Sequence, residues 1–172
     1  MIRPEPLSGR HARNGFDCGA AALNLWLRQT ALQHQARGIS RSFVVVPDAD
    51  ADVQAFKGAG YADVARDSIL GYYALSSSLV VRNDVPADLA RRFPRQLPVT
   101  RLGRLAVRAD MQGQGLGRWL LADAFTRSRV AAQSVGSAGL FVDAKDEAAA
   151  AFYRRFGFIA CAGQPLKLFI PL

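Results

Sequence analysis

A glycine-dense segment between an apolar strand and a long helix is the feature that most constrains this chain. The pattern predicts a strand that ends at Val107, then a polar turn, and then three glycines at alternate positions directly before a helix. Glycine lets the backbone approach an anion closely, and the first N–H groups of a helix have no partner within the helix. Because the helix dipole adds positive charge at that end, the segment is expected to bind a phosphate or pyrophosphate.

Three known phosphate-binding patterns can be compared with this segment. A P-loop requires Lys and then Ser or Thr after its last glycine, whereas Arg118 and Trp119 follow Gly117. A dinucleotide-binding loop requires Gly-x-Gly-x-x-Gly, and the spacing after Gly115 is one residue short. The third pattern, Gln/Arg-x-x-Gly-x-Gly/Ala, fits from Gln112 without adjustment. A glycine-rich turn with no ligand remains the alternative.

This third pattern resembles the pyrophosphate loop of the GNAT N-acetyltransferases. The resemblance implies acetyl-CoA as the co-substrate and a single GNAT acetyltransferase domain over residues 1–172. It also implies that the strand end holds the pantetheine arm through its backbone and that the loop holds the pyrophosphate. The residues concerned are Leu105, Ala106, Val107, Gln112, Gly113, Gln114, Gly115, Leu116, Gly117 and Arg118.

Composition and charge set further bounds. The chain has 172 residues, of which 50% are hydrophobic, so it can bury a core in one domain. No apolar run is long enough for a membrane span, the start does not resemble a signal peptide, and a cytoplasmic location is expected. The two histidines and two cysteines do not form a ligand pattern, so no metal is expected.

The net charge of +8 is concentrated in the second half of the chain, because residues 87–172 include 13 basic and only 6 acidic residues. Such a field favours a polyanion, either CoA or a nucleic acid or both. A charge that serves only solubility is the alternative.

The pattern of apolar residues predicts mixed secondary structure. Strands and helices follow each other without strict alternation, which favours an α+β (mixed α/β) fold with a central, mostly antiparallel sheet flanked by helices. The resemblance implies that this sheet is splayed. The predicted helices cover 18–37 (capped by Asp17), 86–93, 114–132 (with Trp119 facing inward) and 146–155, and the predicted strands cover 41–46, 69–81, 99–107, 139–143, 158–161 and 166–172. The segment 47–68 is expected to be a surface loop with a short strand at 53–56.

A second informative run lies at 146–158, where Phe152-Tyr153 is followed by Gly157-Phe158. In GNAT enzymes a helix with this pattern packs beside the thioester, and its tyrosine commonly protonates the leaving thiolate. The resemblance therefore implies a catalytic role for Tyr153, while a purely structural aromatic is the alternative. A phenol with a pKa near 10 suits that task.

A general base is harder to find. No carboxylate precedes Asp110 near the strand that ends at Val107. An α-amine (pKa about 7.7) needs less help to lose its proton than a lysine amine (about 10.4), so an α-amino substrate is favoured. Asp143 or a water held by backbone carbonyls remains an alternative base.

Four landmarks together resemble one GNAT subgroup, the TacT/KacT/AtaT-like toxins of toxin–antitoxin pairs. They are the Phe-Asp-Cys-Gly motif at 16–19 with its Leu-Asn and Trp-Leu pairs, the Gly-Tyr-Tyr-Ala-Leu run at 71–75, the strand at 102–107 and the run at 151–158. The resemblance implies acetylation of the α-amine of aminoacyl-tRNA, inhibition of translation, a ribbon-helix-helix antitoxin and a homodimer. Candidates to contact the tRNA are Arg91, Arg92, Arg95, Arg41 and Arg101.

Several alternatives remain open. The arginines can equally form an ordinary solvated face. A GNAT enzyme acting on a protein N-terminus or a small-molecule amine would use its arginines only for CoA, and a non-catalytic domain would bind CoA as a regulator. The acidic residues of the 47–68 segment, among them Asp48, Asp50 and Asp52, would repel RNA if they lay on the same face.

Overall fold

The computed structural model describes all residues from 1 to 172 and has an α+β fold, as the sequence predicts. Seven strands form one sheet in the order β1-β2-β3-β4-β5-β7-β6. The strands are β1 (Ile2–Pro6), β2 (Arg41–Pro47), β3 (Gly71–Val81), β4 (Gln96–Val107), β5 (Gly139–Asp143), β6 (Ile159–Cys161) and β7 (Gln164–Pro171). The helices are α1 (Ala21–Gln29), α2 (Ala31–Ala36), α3 (Asp50–Gly58), α4 (Ala87–Ala90), α5 (Leu116–Ala132) and α6 (Glu147–Phe156).

Strand pairing explains how β4 leads to the glycine-rich loop. Antiparallel pairs join β1 to β2, β5 to β7, and β7 to β6. The parallel pairing of β4 with β5 covers only Thr100 and Arg101, while β4 continues to Val107. The end of β4 therefore runs on without its β5 partner and keeps backbone groups available for other contacts.

Strand β1 forms one edge of the sheet. The N–H of Leu7 donates to the carbonyl of Ser42 at 2.9 Å, so odd-numbered residues of this segment point their backbone groups toward β2. Pro4 and Pro6 occupy the alternate positions, where an N–H would point away from the sheet. Because proline has no N–H, this edge lacks two outward donors.

The chain forms two compact units, and the first comprises residues 1–74 and 104–121. Its core is built around Tyr72, whose hydroxyl donates to the carbonyl of Leu23 at 2.8 Å. The ring of Phe16 meets Tyr72 edge-on at 5.5 Å, and Trp26 stacks parallel to Tyr72 at 6.2 Å. The aromatic residues of two sequence landmarks thus form one cluster.

The second unit comprises residues 75–103 and 122–172. Gly139 is essential to its packing, because a Cβ atom at that position would lie 2.2 Å from the ring of Phe169. Helix α6 begins with Asp146, whose side chain accepts from the N–H of Ala149 at 2.8 Å, and it ends at Gly157 with a φ of +122°. These caps agree with the predicted bounds of that helix.

The prediction for residues 47–68 is wrong, because the segment contains helix α3 and no strand. The side chain of Asp52 accepts from the backbone N–H of Ala49 at 3.0 Å, which caps the helix start. Only Val53 of the helix is buried. With one buried residue the apolar pattern is too weak to reveal a helix, and capping defines it instead.

The predicted helix at 18–37 is divided into α1 and α2 at Thr30, which has a φ of −120°. Helix α1 begins at Ala21, and Asp17 is not its cap. The prediction that Trp119 faces inward is also wrong, since 37% of this residue is exposed while Leu120 and Ala124 are fully buried. None of the helices is both long and apolar enough to cross a bilayer.

Candidate active site

The glycine-rich loop connects the end of β4 to the start of α5 with two residues in left-handed backbone conformations. Gly113 has a φ of +77° and Gly115 a φ of +86°, which side chains rarely permit. The N–H of Trp119 donates to the carbonyl of Gly115 at 3.1 Å. Trp119 is therefore the first residue of α5 whose N–H has a helical acceptor, and the N–H groups of Leu116, Gly117 and Arg118 have none.

The predicted phosphate-binding residues are contiguous and accessible. Residues 112–115 and Arg118 are exposed, and Leu116 and Gly117 are half-buried. No acidic side chain lies between 111 and 118. An exposed helix start with free N–H groups and a neighbouring arginine can bind a pyrophosphate. At the strand end, Leu105 and Val107 are half-buried and Ala106 is buried, so their contribution to a ligand would come from the backbone.

Gln112 braces the loop with its side chain. Its amide nitrogen donates to the carbonyl of Cys18 at 2.9 Å and to that of Val107 at 3.0 Å. The amide nitrogen of the Gln112 side chain is thereby committed to the protein backbone.

Asp17 and Asn24 hold the segment whose Cys18 carbonyl accepts from Gln112. Asn24 accepts from the N–H of Cys18 and donates to the carboxylate of Asp17, both at 2.9 Å. The carbonyl of Asp17 in turn accepts from the N–H of Ala109 at 2.9 Å. The Phe-Asp-Cys-Gly landmark therefore anchors the loop, a role that the sequence does not indicate because the two segments are far apart in the chain.

Arg108 fixes the start of the loop by forming ion pairs with two carboxylates. Its guanidinium contacts Asp110 at 2.6 Å and Asp63 at 3.2 Å, and only 8% of the residue is exposed. The hydrogen bond from Arg108 lowers the pKa of Asp110. Asp110 is therefore an ionised structural partner and not a free base.

Tyr153 combines a buried ring with an uncommitted hydroxyl. The ring packs against Phe152 at 5.3 Å and Phe158 at 5.5 Å, and 8% of the residue is exposed. Its hydroxyl makes no hydrogen bond to the protein and is not among the buried unpartnered atoms. Burial raises the pKa of Tyr153 to about 12. The structural alternative holds for the ring, while the hydroxyl remains available to a ligand.

Comparison with known proteins gives the family. Residues 40–160 match the family model for the acetyltransferase (GNAT) domain. The chain belongs to the GNAT acetyltransferases. It is thus an acetyl-CoA-dependent acetyltransferase.

Similar proteins cover nearly the whole length of this GNAT enzyme. A tRNA-acetylating toxin of Mycobacterium tuberculosis (strain ATCC 25618 / H37Rv) is 34% identical over 167 residues, which cover 97% of this chain and 90% of the toxin. The structure of AtaT complexed with acetyl-methionyl-tRNAfMet has a TM-score of 0.83 and 30% identity, over 99% of this chain and 95% of that one. A tyrosine-to-phenylalanine mutant of AtaT, bound to the C-terminus of the antitoxin AtaR and acetyl-CoA, has a TM-score of 0.76 and 29% identity, over 99% and 92% of the chains.

The arginines of this GNAT enzyme fall into two classes. Arg91, Arg92 and Arg95 lie in the connection from α4 to β4, are exposed and have no acidic partner. Arg41, in the other unit, is also exposed and without an ion pair. Arg101 differs, since it forms an ion pair with Asp143 and lies 4.9 Å from the ring centre of Phe141.

The Arg101–Asp143 pair bears on two predicted roles. Arg101 is half-buried and its charge is balanced, so it is a weaker candidate for RNA than the three exposed arginines. Asp143, an alternative general base, is engaged by the same pair. No three His, Cys, Asp or Glu side chains lie close enough together to hold a metal ion.

Proposed function

We propose that this enzyme transfers the acetyl group of acetyl-CoA to the α-amine of aminoacyl-tRNA and inhibits translation as the toxin of a type II toxin–antitoxin pair. The observation that carries the proposal is similarity along nearly the whole chain to AtaT complexed with acetyl-methionyl-tRNAfMet, at a TM-score of 0.83. The 34% identity to a tRNA-acetylating toxin supports the same substrate.

In this proposal the glycine-rich loop binds the pyrophosphate of acetyl-CoA. The free N–H groups at the start of α5 donate to the phosphate oxygens, and Arg118 adds a positive charge. The backbone at Leu105, Ala106 and Val107, where β4 has run past its pairing with β5, pairs with the amides of the pantetheine arm, as a neighbouring strand would. Gly113, Gln114 and Gly115 supply the turn that brings the backbone close to the phosphates.

The transfer joins an amine nitrogen to the acetyl carbon and breaks the carbon–sulfur bond. The amine attacks the thioester carbonyl, the tetrahedral intermediate collapses, and the CoA thiolate leaves. The hydroxyl of Tyr153 donates a hydrogen bond to this thiolate. Because its pKa is about 12, far above the value of about 8.5 for a thiol, complete proton transfer from Tyr153 is uphill and stabilisation of the thiolate is its main contribution. The amine proton leaves to water, and CoA is released as the thiol.

The ion pairs of both candidate carboxylates support an α-amino substrate. Asp110 is paired with Arg108, and Asp143 is paired with Arg101. An α-amine is substantially deprotonated at neutral pH without help, since its pKa is about 7.7, whereas a lysine amine is not. The enzyme therefore suits an aminoacyl group better than a lysine side chain.

Exposed arginines supply the contact with RNA in this proposal. Arg91, Arg92 and Arg95 present three unbalanced charges within five residues of chain, and Arg41 adds a fourth elsewhere. The acidic segment opposes RNA less than its composition suggests, because Asp63 pairs with Arg108 and Asp50 with Arg66. Phosphate contacts by arginine position an RNA without reading its sequence.

The partners of the toxin belong to the same proposal. A ribbon-helix-helix antitoxin binds it and suppresses its activity, and the active form is a homodimer. The structure of an AtaT mutant bound to the C-terminus of its antitoxin supports a protein inhibitor for this enzyme. Sedimentation of the purified chain, alone and with the product of a neighbouring repressor gene, tests both statements.

The decisive experiment follows label from acetyl-CoA. Wild-type enzyme and the Tyr153→Phe variant are incubated with labelled acetyl-CoA and bulk charged tRNA, with uncharged tRNA as the control. We expect label on the aminoacyl group with the wild type, little with Tyr153→Phe and none on uncharged tRNA. Turnover only on free amines or peptides would contradict the toxin assignment and leave the acetyltransferase assignment intact.

A further inference from the structure

The glycine-rich loop is not supported by packed side chains on all sides. A cavity of about 230 Å³ lies against it, bounded by Gln114, Gly115 and Leu116 of the loop and helix start and by Phe56, Tyr61 and Trp119. Protein interiors normally fix a segment by close packing, and a cavity removes that constraint. The conformation of the loop at this point therefore depends on polar contacts.

Tyr61 provides two of these contacts with one hydroxyl group. The amide nitrogen of Gln114 donates to the Tyr61 hydroxyl at 3.0 Å, and the hydroxyl donates to the carbonyl of Asp110 at 3.3 Å. The two bonded residues stand on either side of Gly113, where the backbone has its first left-handed turn. The ring of Phe56 in α3 meets the Tyr61 ring edge-on at 6.0 Å and holds it in place.

Asp63 adds a second link from the same segment. Its carboxylate contacts the guanidinium of Arg108 at 3.2 Å, and Arg108 in turn holds Asp110. Both links connect the chain after α3 to Asp110, directly from Tyr61 and through Arg108 from Asp63. Because glycine costs more conformational entropy to order than other residues, a loop with two left-handed glycines gains from such external support.

We propose that Tyr61 is a positioning residue for the co-substrate: it fixes Asp110 and Gln114 and so aims the N–H groups of the glycine-rich loop at the pyrophosphate. Asp63 assists through Arg108. The inference rests on the proposed binding of acetyl-CoA by this loop. Tyr61 itself does not contact the co-substrate. In this proposal the chain that follows α3, which contains Tyr61 and Asp63, contributes to the affinity for acetyl-CoA.

The test is Tyr61→Phe, which keeps the ring and its contact with Phe56 and removes only the hydroxyl. Steady-state kinetics with charged tRNA and calorimetry with CoA alone give the readouts. We expect the KM for acetyl-CoA and the Kd for CoA to rise about five- to thirtyfold, the effect of one or two net hydrogen bonds, with kcat within about twofold of wild type. The matched control is Tyr72→Phe, which removes a hydroxyl from the core of the same unit and is expected to lower Tm without changing the KM.

Two further variants distinguish the positioning role of Tyr61 from the proposal that the loop binds acetyl-CoA. Gly115→Ala strains the loop directly, since Gly115 has a φ of +86°, and Gly113→Ala at +77° replaces it if that variant fails to fold. If neither variant changes the Kd for CoA, the loop is not the pyrophosphate site. If they weaken CoA binding while Tyr61→Phe does not, or if Tyr72→Phe raises the KM as much as Tyr61→Phe, the positioning role of Tyr61 is wrong.

Discussion

Gln112 and Cys18, which are 94 positions apart in the chain, are joined by a hydrogen bond of 2.9 Å from the side-chain amide to the backbone carbonyl. The same amide nitrogen also holds the carbonyl of Val107, the last residue of β4. The residue that opens the acetyltransferase loop motif is thus used to fix the loop to the rest of its unit. The conformation of the proposed pyrophosphate site depends on contacts that lie outside the motif.

Replacing Gln112 with alanine should weaken acetyl-CoA binding. The change removes two hydrogen bonds to backbone carbonyls, each worth about 1 kcal/mol, and leaves the main chain unaltered. We expect a five- to thirtyfold rise in the KM for acetyl-CoA with a small change in kcat, on the order of the loss of one or both bonds. An unchanged KM would mean that the brace has no effect on the loop, and Gln33→Ala, in an exposed helix position, is the control.

Asn24→Ala should destabilise the protein. Asn24 is buried, and its loss leaves the N–H of Cys18 without an acceptor, which costs about 1–3 kcal/mol. Urea unfolding should show this decrease in the free energy of unfolding, and acetyl-CoA affinity should fall with it because the Asp17–Cys18 segment supports the loop. A stability equal to that of wild type would refute the anchoring role of the network.

Tyr153→Phe should lower kcat and preserve both KM values. A positioned donor that stabilises developing charge by a hydrogen bond typically contributes about 10²–10³-fold. Since the pKa of Tyr153 is about 12, its hydroxyl stays protonated at neutral and mildly alkaline pH. The wild-type kcat/KM should therefore rise through about pH 7.7, where the α-amine of the substrate loses its proton, and then level off. A decline between about pH 8 and pH 9 would contradict this assignment.

Stability should fall at high pH for an identifiable reason. Burial raises the pKa of Tyr153 from 10 to about 12 and that of Cys161 from 9 to about 11. Both groups are neutral in the folded state where the unfolded chain already ionises, so their stabilisation is complete below pH 9 and is lost as the pH rises through 11 and 12. Tyr153→Phe should lose about 2 kcal/mol less than wild type between pH 10 and pH 12, by unfolding at each pH.

Combined replacement of Arg91, Arg92 and Arg95 by alanine should weaken binding of charged tRNA and spare acetyl-CoA. If each arginine contacts one phosphate, the slope of log affinity against log salt should shrink by about two to three. Arg101→Ala should have a smaller effect, because Arg101 is paired with Asp143. If a triple variant of other exposed arginines loses as much affinity for charged tRNA, the effect is one of net charge and not of these three positions.

Local patterns were sufficient to predict two of the elements near the proposed site. The bounds of β5 agree with the prediction, and those of α6 differ by a residue, because a compact apolar run and clear caps mark them. Helix α3 could not be predicted, since only Val53 faces the core. Trp119 was predicted inward from its hydrophobicity, yet it lines a cavity beside the loop.

The supporting contacts of the loop could not be predicted for a different reason. The partner of Tyr61 is Asp110, 49 positions away, and the partner of Asp17 is Ala109, 92 positions away. No spacing rule relates the residues of either pair. Asn24 bonds Cys18, 6 positions away, which is part of the same support. The loop motif predicts where a phosphate binds, because the glycines and the helix start on which the prediction rests are consecutive in the chain. What holds the motif in shape depends on the folded chain.

The two prolines of β1 have a consequence for how this enzyme meets other polypeptides. Pro4 and Pro6 remove outward-pointing donors at alternate positions, so an incoming chain finds only an incomplete ladder along that edge. Strand-by-strand growth into fibres is disfavoured there, and a polypeptide that docks at this side depends more on side-chain contacts than on backbone pairing. Copies of the molecule at high concentration are therefore disfavoured from pairing with one another along β1.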